Sequence, residues 1–190
     1  MEPLSAFRTL PPLTPAGATV GARATPNQPL EAVVDWAFLA SIGPRPRLVI
    51  ELPQGVVTGE LDTEQAPLAV QMLARLGERG AFDGVRFHRV IPNFVAQAGE
   101  LPGATAGPGM RTEITRLPFG TDPAFGDHSV GMARSEAWDS ETTQFFVTHS
   151  LQPHLDGEYG NIGHITSGLE VLDRVPPDAR IVRLRVLSGH

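Results

Sequence analysis

The 190-residue sequence contains no cysteine, which excludes disulfide bonds, thiolate nucleophiles and cysteine-ligated zinc. Acidic residues outnumber basic ones by 21 to 15, and the formal charge of −6 argues against a nonspecific hold on nucleic acid or anionic lipid. The sequence has no run of about 18 apolar residues. Its first residues do not form a basic segment followed by an apolar one. These absences predict a soluble protein that binds neither nucleic acid nor membrane.

The length suits one compact domain with an appendage, since a chain of this size buries roughly 70% of its unfolded surface. Residues 1–46 are rich in proline, threonine, alanine and glycine, and they predict a tail or linker with one short helix over 30–41. The apolar side of that helix is expected to pack on the following domain or on a neighbouring one, and a dedicated binding helix is the alternative. The main domain is predicted to span 47–187.

From residue 47 the hydrophobic pattern changes to the two-residue period of β-strands. Alternate apolar residues over 48–52 share one face, a turn follows at 53–55, and a second strand covers 57–61. Apolar residues then recur at helical spacing over 67–76, with Gly77 at the predicted end. The first part of the domain is therefore a hairpin followed by one amphipathic helix.

The middle of the sequence is predicted to be mostly β. Ser167 and Glu170 form a capping-box pattern ahead of a second helix, and alternation over 182–186 predicts a closing strand. Closure of a sheet removes edges that promote aggregation, and helices can cover the open ends. The predicted fold is mainly β, a closed antiparallel eight-stranded barrel capped by two α-helices. Its other short strands are expected at 85–90, 93–98, 129–133, 145–148 and 161–165.

The segment 87–99 reads Phe-His-Arg-Val-Ile-Pro-Asn-Phe-Val-Ala-Gln-Ala-Gly, an unusual mixture for a buried hairpin. It places one arginine, two phenylalanines and one glutamine on adjoining extended segments. A guanidinium beside an apolar pocket can donate hydrogen bonds to an amide while the pocket holds a neighbouring ring. This combination indicates chemistry on Xaa-Pro bonds.

Other chemistries lack the patterns they require. Asp127, His128 and Ser129 are the residue types of a catalytic triad, but consecutive residues cannot converge and no Gly-x-Ser-x-Gly turn accompanies them. His149, His154 and His164 lack metal-ligand spacing, so neither a metal nor a cofactor is expected. The glycine-rich stretch 99–109 lacks a following Lys-Ser/Thr and is interpreted as a loop beside the groove.

Three segments, 87–99, 129–148 and 153–163, resemble the cyclophilin family of peptidyl-prolyl cis-trans isomerases. The matching strings are Phe-His-Arg-Val-Ile-Pro with Phe94 and Gln97, Gly-Met-Ala at 131–133, Gln-Phe-Phe at 144–146 and Leu-Asp-Gly at 155–157. The resemblance extends over about 47–187 and implies a cyclophilin-like barrel. It implies that Arg89 and Gln97 are catalytic, and that the substrate is bound by Phe94, Val95, Met132, Ala133, Arg134, Gln144, Phe146, His154, Leu155 and Tyr159.

Within that set the resemblance implies distinct roles. A proline pocket is lined by Phe94, Val95, Phe146 and Leu155, Gln97 contacts the substrate backbone, and Gln144 supports Arg89. The backbone of Ala133 and Arg134 aligns the peptide, and Tyr159 stands where many members have histidine.

Two of the departures from the family pattern bear on specificity. His154 stands where cyclosporin-sensitive members have tryptophan, so weak cyclosporin binding is expected. The charge of Arg134 could favour acidic residues beside the proline, or its side chain could be an exposed bystander.

The resemblance implies an enzyme that accelerates rotation about Xaa-Pro bonds in protein folding, with an arginine stabilising the twisted imide. The alternative is a non-catalytic proline-peptide-binding or chaperone module. The expected partners are proline-containing peptides and unfolded or folding proteins, and the protein is expected to be a monomer. A cytoplasmic location is expected, or a periplasmic or exported one if a signal precedes this chain.

Overall fold

A computed structural model describes residues 33–104, 109–114 and 124–189 of the chain. Residues 1–32 of the predicted tail and the middle of the glycine-rich loop lie outside these residues. The helices are α1 (Trp36–Ile42), α2 (Pro67–Glu78) and α3 (Leu169–Leu172), with one 3₁₀ turn at Pro153–Leu155. The strands are β1 (Arg47–Leu52), β2 (Gly55–Leu61), β3 (Arg89–Ile91), β4 (Val95–Ala98), β5 (Ser129–Met132), β6 (Phe145–Thr148), β7 (Asn161–Ser167) and β8 (Arg183–Leu187).

The eight strands form one curled antiparallel sheet in the order β3-β4-β6-β5-β7-β2-β1-β8. This confirms the predicted eight-stranded antiparallel, mainly β fold, but the barrel is not fully closed, because the edge strands β3 and β8 of the described chain do not pair. Instead, the segment before β3 bonds to the segment before β8, with the Phe87 N–H donating to the carbonyl of Ala179 over 2.9 Å. Gly84 (φ 79°) and Asp178 (φ 64°), in these two segments, adopt left-handed backbone conformations.

The inner face of the sheet and the helices enclose the main hydrophobic core, called here the interior core. Alternate residues of β1 are buried as the two-residue period predicts, and most of α2 is buried against the sheet. The helix α2 passes through Gly77 rather than ending there, which corrects the predicted stop. A Cβ atom at position 77 would lie 3.0 Å from the carbonyl oxygen of Leu184, so glycine allows α2 to pack closely on β8.

The capping box predicted for α3 is absent from the described structure. Gly168, in a left-handed conformation (φ 77°), occupies the N-cap position, and no side chain caps the helix. Ser167 instead belongs to β7, which extends two residues beyond its predicted end, and its hydroxyl bonds to that of Thr58 over 2.7 Å. Ser167 therefore pairs in the sheet and does not cap α3 as the sequence pattern predicted.

Helix α1 packs against α2 through one buried leucine, Leu39, and a polar cluster. Asp35 caps α1 by accepting the N–H of Phe38 over 3.0 Å, and it pairs with Arg75 of α2 over 2.6 Å. The hydrogen bond from Phe38 and the adjacent Arg75 together lower the pKa of Asp35. Within the described residues α1 begins at Trp36, and residues 30–32 of the predicted helix lie outside them. Of the helices that the structure describes, none has the length and apolar character needed to cross a membrane.

Candidate functional site

The sheet register places one row of residues across four neighbouring strands. Arg89 of β3 lies opposite Gln97 of β4, Gln97 opposite Phe146 of β6, and Phe146 opposite Gly131 of β5. Residues directly opposite one another in a sheet share a face. The adjacent Phe145 points to the other face and is part of the interior core. Arg89, Gln97 and Phe146 therefore meet on the outer face of the sheet.

A second group of apolar residues, called here the outer cluster, packs around Phe146 of this row and is separate from the interior core. Half-buried Phe94, Ala124 and Tyr159 pack around it. Such a patch beside a cation can hold an apolar ring while donors act on its attached amide. The buried members of the outer cluster are Val95, Phe125, Ala133, Phe146 and Leu155.

A hydrogen-bond chain runs along the polar side of the row. The guanidinium of Arg89 donates to Oε1 of Gln97 over 3.3 Å, and Nε2 of Gln97 donates to Oε1 of Gln144 over 2.9 Å. The guanidinium carbon of Arg89 lies 5.4 Å from the ring centroid of Phe94. Burial lowers the pKa of Arg89, but an arginine remains charged at neutral pH. The row therefore presents an oriented, partly desolvated cation.

Aromatic contacts define the walls beside that cation. The ring of Phe146 stacks on Phe125 with centroids 5.6 Å apart, and the edge of Tyr159 approaches it at 5.7 Å. The ring of His154 stacks on Phe94 at 5.7 Å. Offset stacking and edge contacts at these distances are the favourable geometries for aromatic pairs. Packed aromatic rings thus border the site next to Arg89.

The side chain of Arg134 is only 7% exposed. It donates to the carbonyl of Glu158 over 2.7 Å and to the Glu158 carboxylate over 2.9 Å, and its guanidinium lies over the rings of Trp138 at 4.3 Å and Tyr159 at 5.1 Å. The exposed-bystander alternative is therefore wrong, because the side chain is buried and its charge is paired with Glu158. It joins the 134–138 loop to the turn that contains Tyr159.

One predicted substrate-binding residue lies elsewhere. Met132 is fully buried in the interior core, because it alternates with Gly131 and so faces the inside of the sheet. The other eleven belong to the row, to its hydrogen-bond chain, to the outer cluster or to side chains in contact with these groups.

Phe125 is a further residue beside the row that was not predicted from the sequence. It lies in a loop, outside every motif, and neither strand alternation nor helical spacing points to it. The one available signal was a single aromatic residue within the Pro-Ala-Phe-Gly string at 123–126.

Two buried carboxyl groups lie apart from the row. Glu113 accepts the N–H groups of Leu68 and Ala69 at the start of α2 over 3.1 and 3.0 Å. Glu141 is 1% exposed, and its carboxylate makes no hydrogen bond of standard geometry within the described residues, although the N–H of Gly160 partly offsets the rise in its pKa. Burial, with repulsion from Glu113 as the next cause, raises the pKa of Glu141 to about 8.

Comparisons with known proteins agree with this geometry. The sequence model of the family described as "Cyclophilin type peptidyl-prolyl cis-trans isomerase/CLD" matches residues 47–180. A probable peptidyl-prolyl cis-trans isomerase of Brucella suis is 33% identical over 149 residues, which is 70% of this chain and 72% of that protein. Peptidyl-prolyl cis-trans isomerase B of Bacillus subtilis is 40% identical over 114 residues, or 58% of this chain and 76% of that protein.

Solved structures show the same fold. A cyclophilin-type peptidyl-prolyl cis-trans isomerase of Cryptosporidium parvum superposes with a TM-score of 0.65 at 24% identity, covering 77% of this chain and 99% of that one. A second structure of that protein, determined in the presence of the dipeptide Ala-Pro, superposes with a TM-score of 0.59 at 24% identity, covering 75% of this chain and 96% of that one.

Proposed function

Because the chain belongs to the cyclophilin-type peptidyl-prolyl cis-trans isomerase family and is an isomerase of Xaa-Pro bonds, we propose that the row of Arg89, Gln97 and Phe146 is its active site. The observation that supports this most strongly is the register, which aligns a partly desolvated cation with an apolar slot on three adjacent strands. We further propose that residues 47–187 form the functional domain and that α1 extends its core.

The reaction requires stabilisation of a twisted amide. Resonance gives the peptide C–N bond partial double-bond character, so its rotation meets a barrier of about 18–20 kcal/mol. When the bond twists, the proline nitrogen becomes pyramidal and gains a lone pair that a planar amide does not offer. A donor that bonds this nitrogen stabilises the transition state more than either ground state, which is what raises the rate.

Arg89 is the donor in this proposal. Its pairing with Gln97 orients the guanidinium toward the outer cluster, and its partial burial strengthens its electrostatic action, because water screens it less. A well-aimed donor in such a site contributes about 3–4 kcal/mol to transition-state stabilisation. Arg89 therefore accounts for two to three orders of magnitude in rate.

The outer cluster holds the proline ring. Phe146, Val95 and Leu155 are buried side by side, with Phe94 at the rim, and they form a slot of apolar surface. Fixing the ring leaves the preceding carbonyl as the part that rotates, so the pocket also supplies orientation. No nucleophile, general base or metal takes part in this mechanism.

Gln97 and Gln144 are positioned to align the substrate backbone and the guanidinium. The oxygen of the Gln97 amide accepts a hydrogen bond from Arg89, and its nitrogen donates one to Gln144. These two bonds fix the orientation of the amide. The substrates that fit this site are proline-containing segments of unfolded or folding proteins, and the related structure determined in the presence of Ala-Pro supports that choice.

Exchange spectroscopy of an Ala-Pro peptide by NMR tests the role of Arg89. We expect Arg89→Ala to lower the catalysed cis-trans exchange rate by about 10²- to 10³-fold, while peptide affinity changes by only a few-fold. Arg86→Ala is the matched control, because Arg86 is an exposed arginine whose side chain pairs with Asp178. Exchange by Arg89→Ala at the wild-type rate would contradict the proposal. A wild type that binds the peptide without accelerating exchange would favour the non-catalytic binding module.

A further inference from the structure

The segment 124–126 covers the outer face of the sheet next to the proposed pocket. Phe125 is 0% exposed although it belongs to no strand or helix. The carboxylate of Asp156 accepts the N–H groups of Ala124 over 3.1 Å and of Phe125 over 3.0 Å, and the N–H of Gln152 donates to the Phe125 carbonyl over 2.8 Å. These bonds join the segment to the turn that presents Leu155.

Three strands hold the same segment from the other side. The Ser129 hydroxyl donates to the carbonyl of Ala124 over 3.2 Å, and the side-chain amide of Asn161 donates to that same carbonyl. The Thr148 hydroxyl donates to the carbonyl of Gly126 over 2.7 Å. A loop with this many directed bonds has little freedom to move, so the position of Phe125 is determined by the framework of the sheet.

The ring of Phe125 lies against the ring that forms the pocket wall. The rings of Phe125 and Phe146 are stacked with an interplanar angle of 26°, and Phe146 is only 5% exposed. Room for both rings depends on Gly131, which lies opposite Phe146 in the β5–β6 pairing. A Cβ atom at position 131 would lie 2.4 Å from Cζ of Phe146 and 2.6 Å from Cε1 of Phe125, closer than van der Waals contact allows. The missing side chain thus creates the space in which the two rings stack.

We propose that Phe125, with the space left by Gly131, is a positioning residue that fixes the orientation of the Phe146 ring and thereby sets the shape of the proline pocket. This inference rests on the proposed function of Phe146. Phe125 lies behind Phe146 rather than in the row with Arg89, so it acts on binding of the proline ring more than on the rotation step. Its loss leaves a cavity into which Phe146 can turn.

Two variants perturb the stack in opposite ways. Phe125→Ala removes the supporting ring, and Gly131→Ala adds an atom that displaces both rings. We expect each to weaken affinity for an Ala-Pro peptide by roughly three- to tenfold, since a stacked aromatic pair contributes about 0.5–1.5 kcal/mol beyond its buried area. Side-chain couplings of isotope-labelled Phe146 should change from one χ1 rotamer to an average, and Phe125→Leu should be intermediate. Phe82→Leu is the control, because Phe82 is fully buried in the interior core.

Affinity is measured by NMR titration well below the unfolding temperature of each variant. If Phe125→Ala does not fold, Phe125→Leu and Gly131→Ala decide the outcome. Affinities within twofold of wild type in the folded variants, together with a single Phe146 rotamer, would overturn the inference. Phe146→Ala in the same assay distinguishes a failure of this inference from a failure of the proposed proline pocket. If it loses affinity while the Phe125 and Gly131 variants do not, only this inference fails, and if it also binds normally, the proposed pocket fails.

Discussion

The interior core and the outer cluster are built from the same strands but differ in what surrounds them. In β6, Phe145 joins the interior core and Phe146 the outer cluster. In β4, Ala96 belongs to the interior core and Val95 to the outer cluster. The interior core is enclosed by the sheet and its helices, whereas the outer cluster is covered by a loop and a 3₁₀ turn and has half-buried Phe94 and Arg89 beside it.

This difference is visible in the burial of the strands. All four residues of β4, β5 and β6 are buried, whereas β1 alternates between buried and more exposed positions. An antiparallel sheet commonly exposes one face to water. This short stretch of the sheet is buried on both faces because the outer cluster, with Phe125 and Leu155, covers its outer side.

The largest effect that we predict concerns Glu141, a buried carboxyl group that belongs to neither apolar cluster. With a folded-state pKa of about 8 against an ordinary value of 4.5, the folded protein retains a proton that the unfolded chain has released. The free energy of unfolding should therefore fall as pH rises between these two values, by up to about 1.4 kcal/mol per pH unit. Glu141→Gln should remove this contribution and make the protein more stable than wild type at pH 9.

The measurement is urea unfolding of both proteins from pH 4 to pH 9. The difference between the two curves reports Glu141 together with its repulsion of Glu113, whose pKa is also raised by burial. Curves that remain parallel over the whole range would show that Glu141 is not protonated in the folded protein. Peptide affinity at fixed pH should be the same in both proteins, since Glu141 lies apart from the row.

A smaller effect is expected at the polar end of the outer face. Gln144→Ala removes the acceptor that orients the Gln97 amide, and Gln97 in turn orients Arg89. A net hydrogen bond contributes about 0.5–1.5 kcal/mol, so the exchange rate should fall by up to about tenfold while the unfolding midpoint changes little. Gln54→Ala, in the exposed turn between β1 and β2, is the control. An unchanged exchange rate in Gln144→Ala would show that the chain does not orient the guanidinium.

The smallest effect concerns charge beside the pocket. The guanidinium of Arg134 is paired with Glu158 and covered by two rings, so it has little attraction left for a substrate carboxylate. Peptides with glutamate or glutamine beside the Ala-Pro unit should therefore bind with affinities within about twofold of each other at moderate salt. A strong preference for glutamate that is lost in Arg134→Gln would contradict this account.

The sequence was sufficient for features that depend on local pattern. The alternation of β1 and β2 follows from the two-residue period, β6 has its predicted bounds, and the motif around Arg89 identified the row. Features that depend on contacts between distant segments were not predictable. Met132 could be placed on the inner face only once the pairing of β5 was known, and Phe125 reaches the pocket from a loop because Gly131 leaves room for it.

The capping-box prediction failed for the same reason. Ser167 can serve a helix cap or a strand, and its pairing opposite Thr58 of β2 decides between them. The local sequence pattern does not show which of these two roles is favoured, because the partner strand lies more than a hundred residues earlier in the chain.

The most direct measurement of the central claim compares the same substitution at two adjacent positions. Phe145→Leu and Phe146→Leu differ only in which face of β6 they alter. For each variant, the free energy of unfolding is measured by urea titration and the affinity for an Ala-Pro peptide by NMR. We predict that Phe145→Leu lowers stability by about 1–2 kcal/mol with affinity within twofold of wild type, and that Phe146→Leu weakens affinity several-fold with a smaller loss of stability. Equal effects of both variants on both quantities, or a reversed assignment, would contradict the division between interior core and outer cluster.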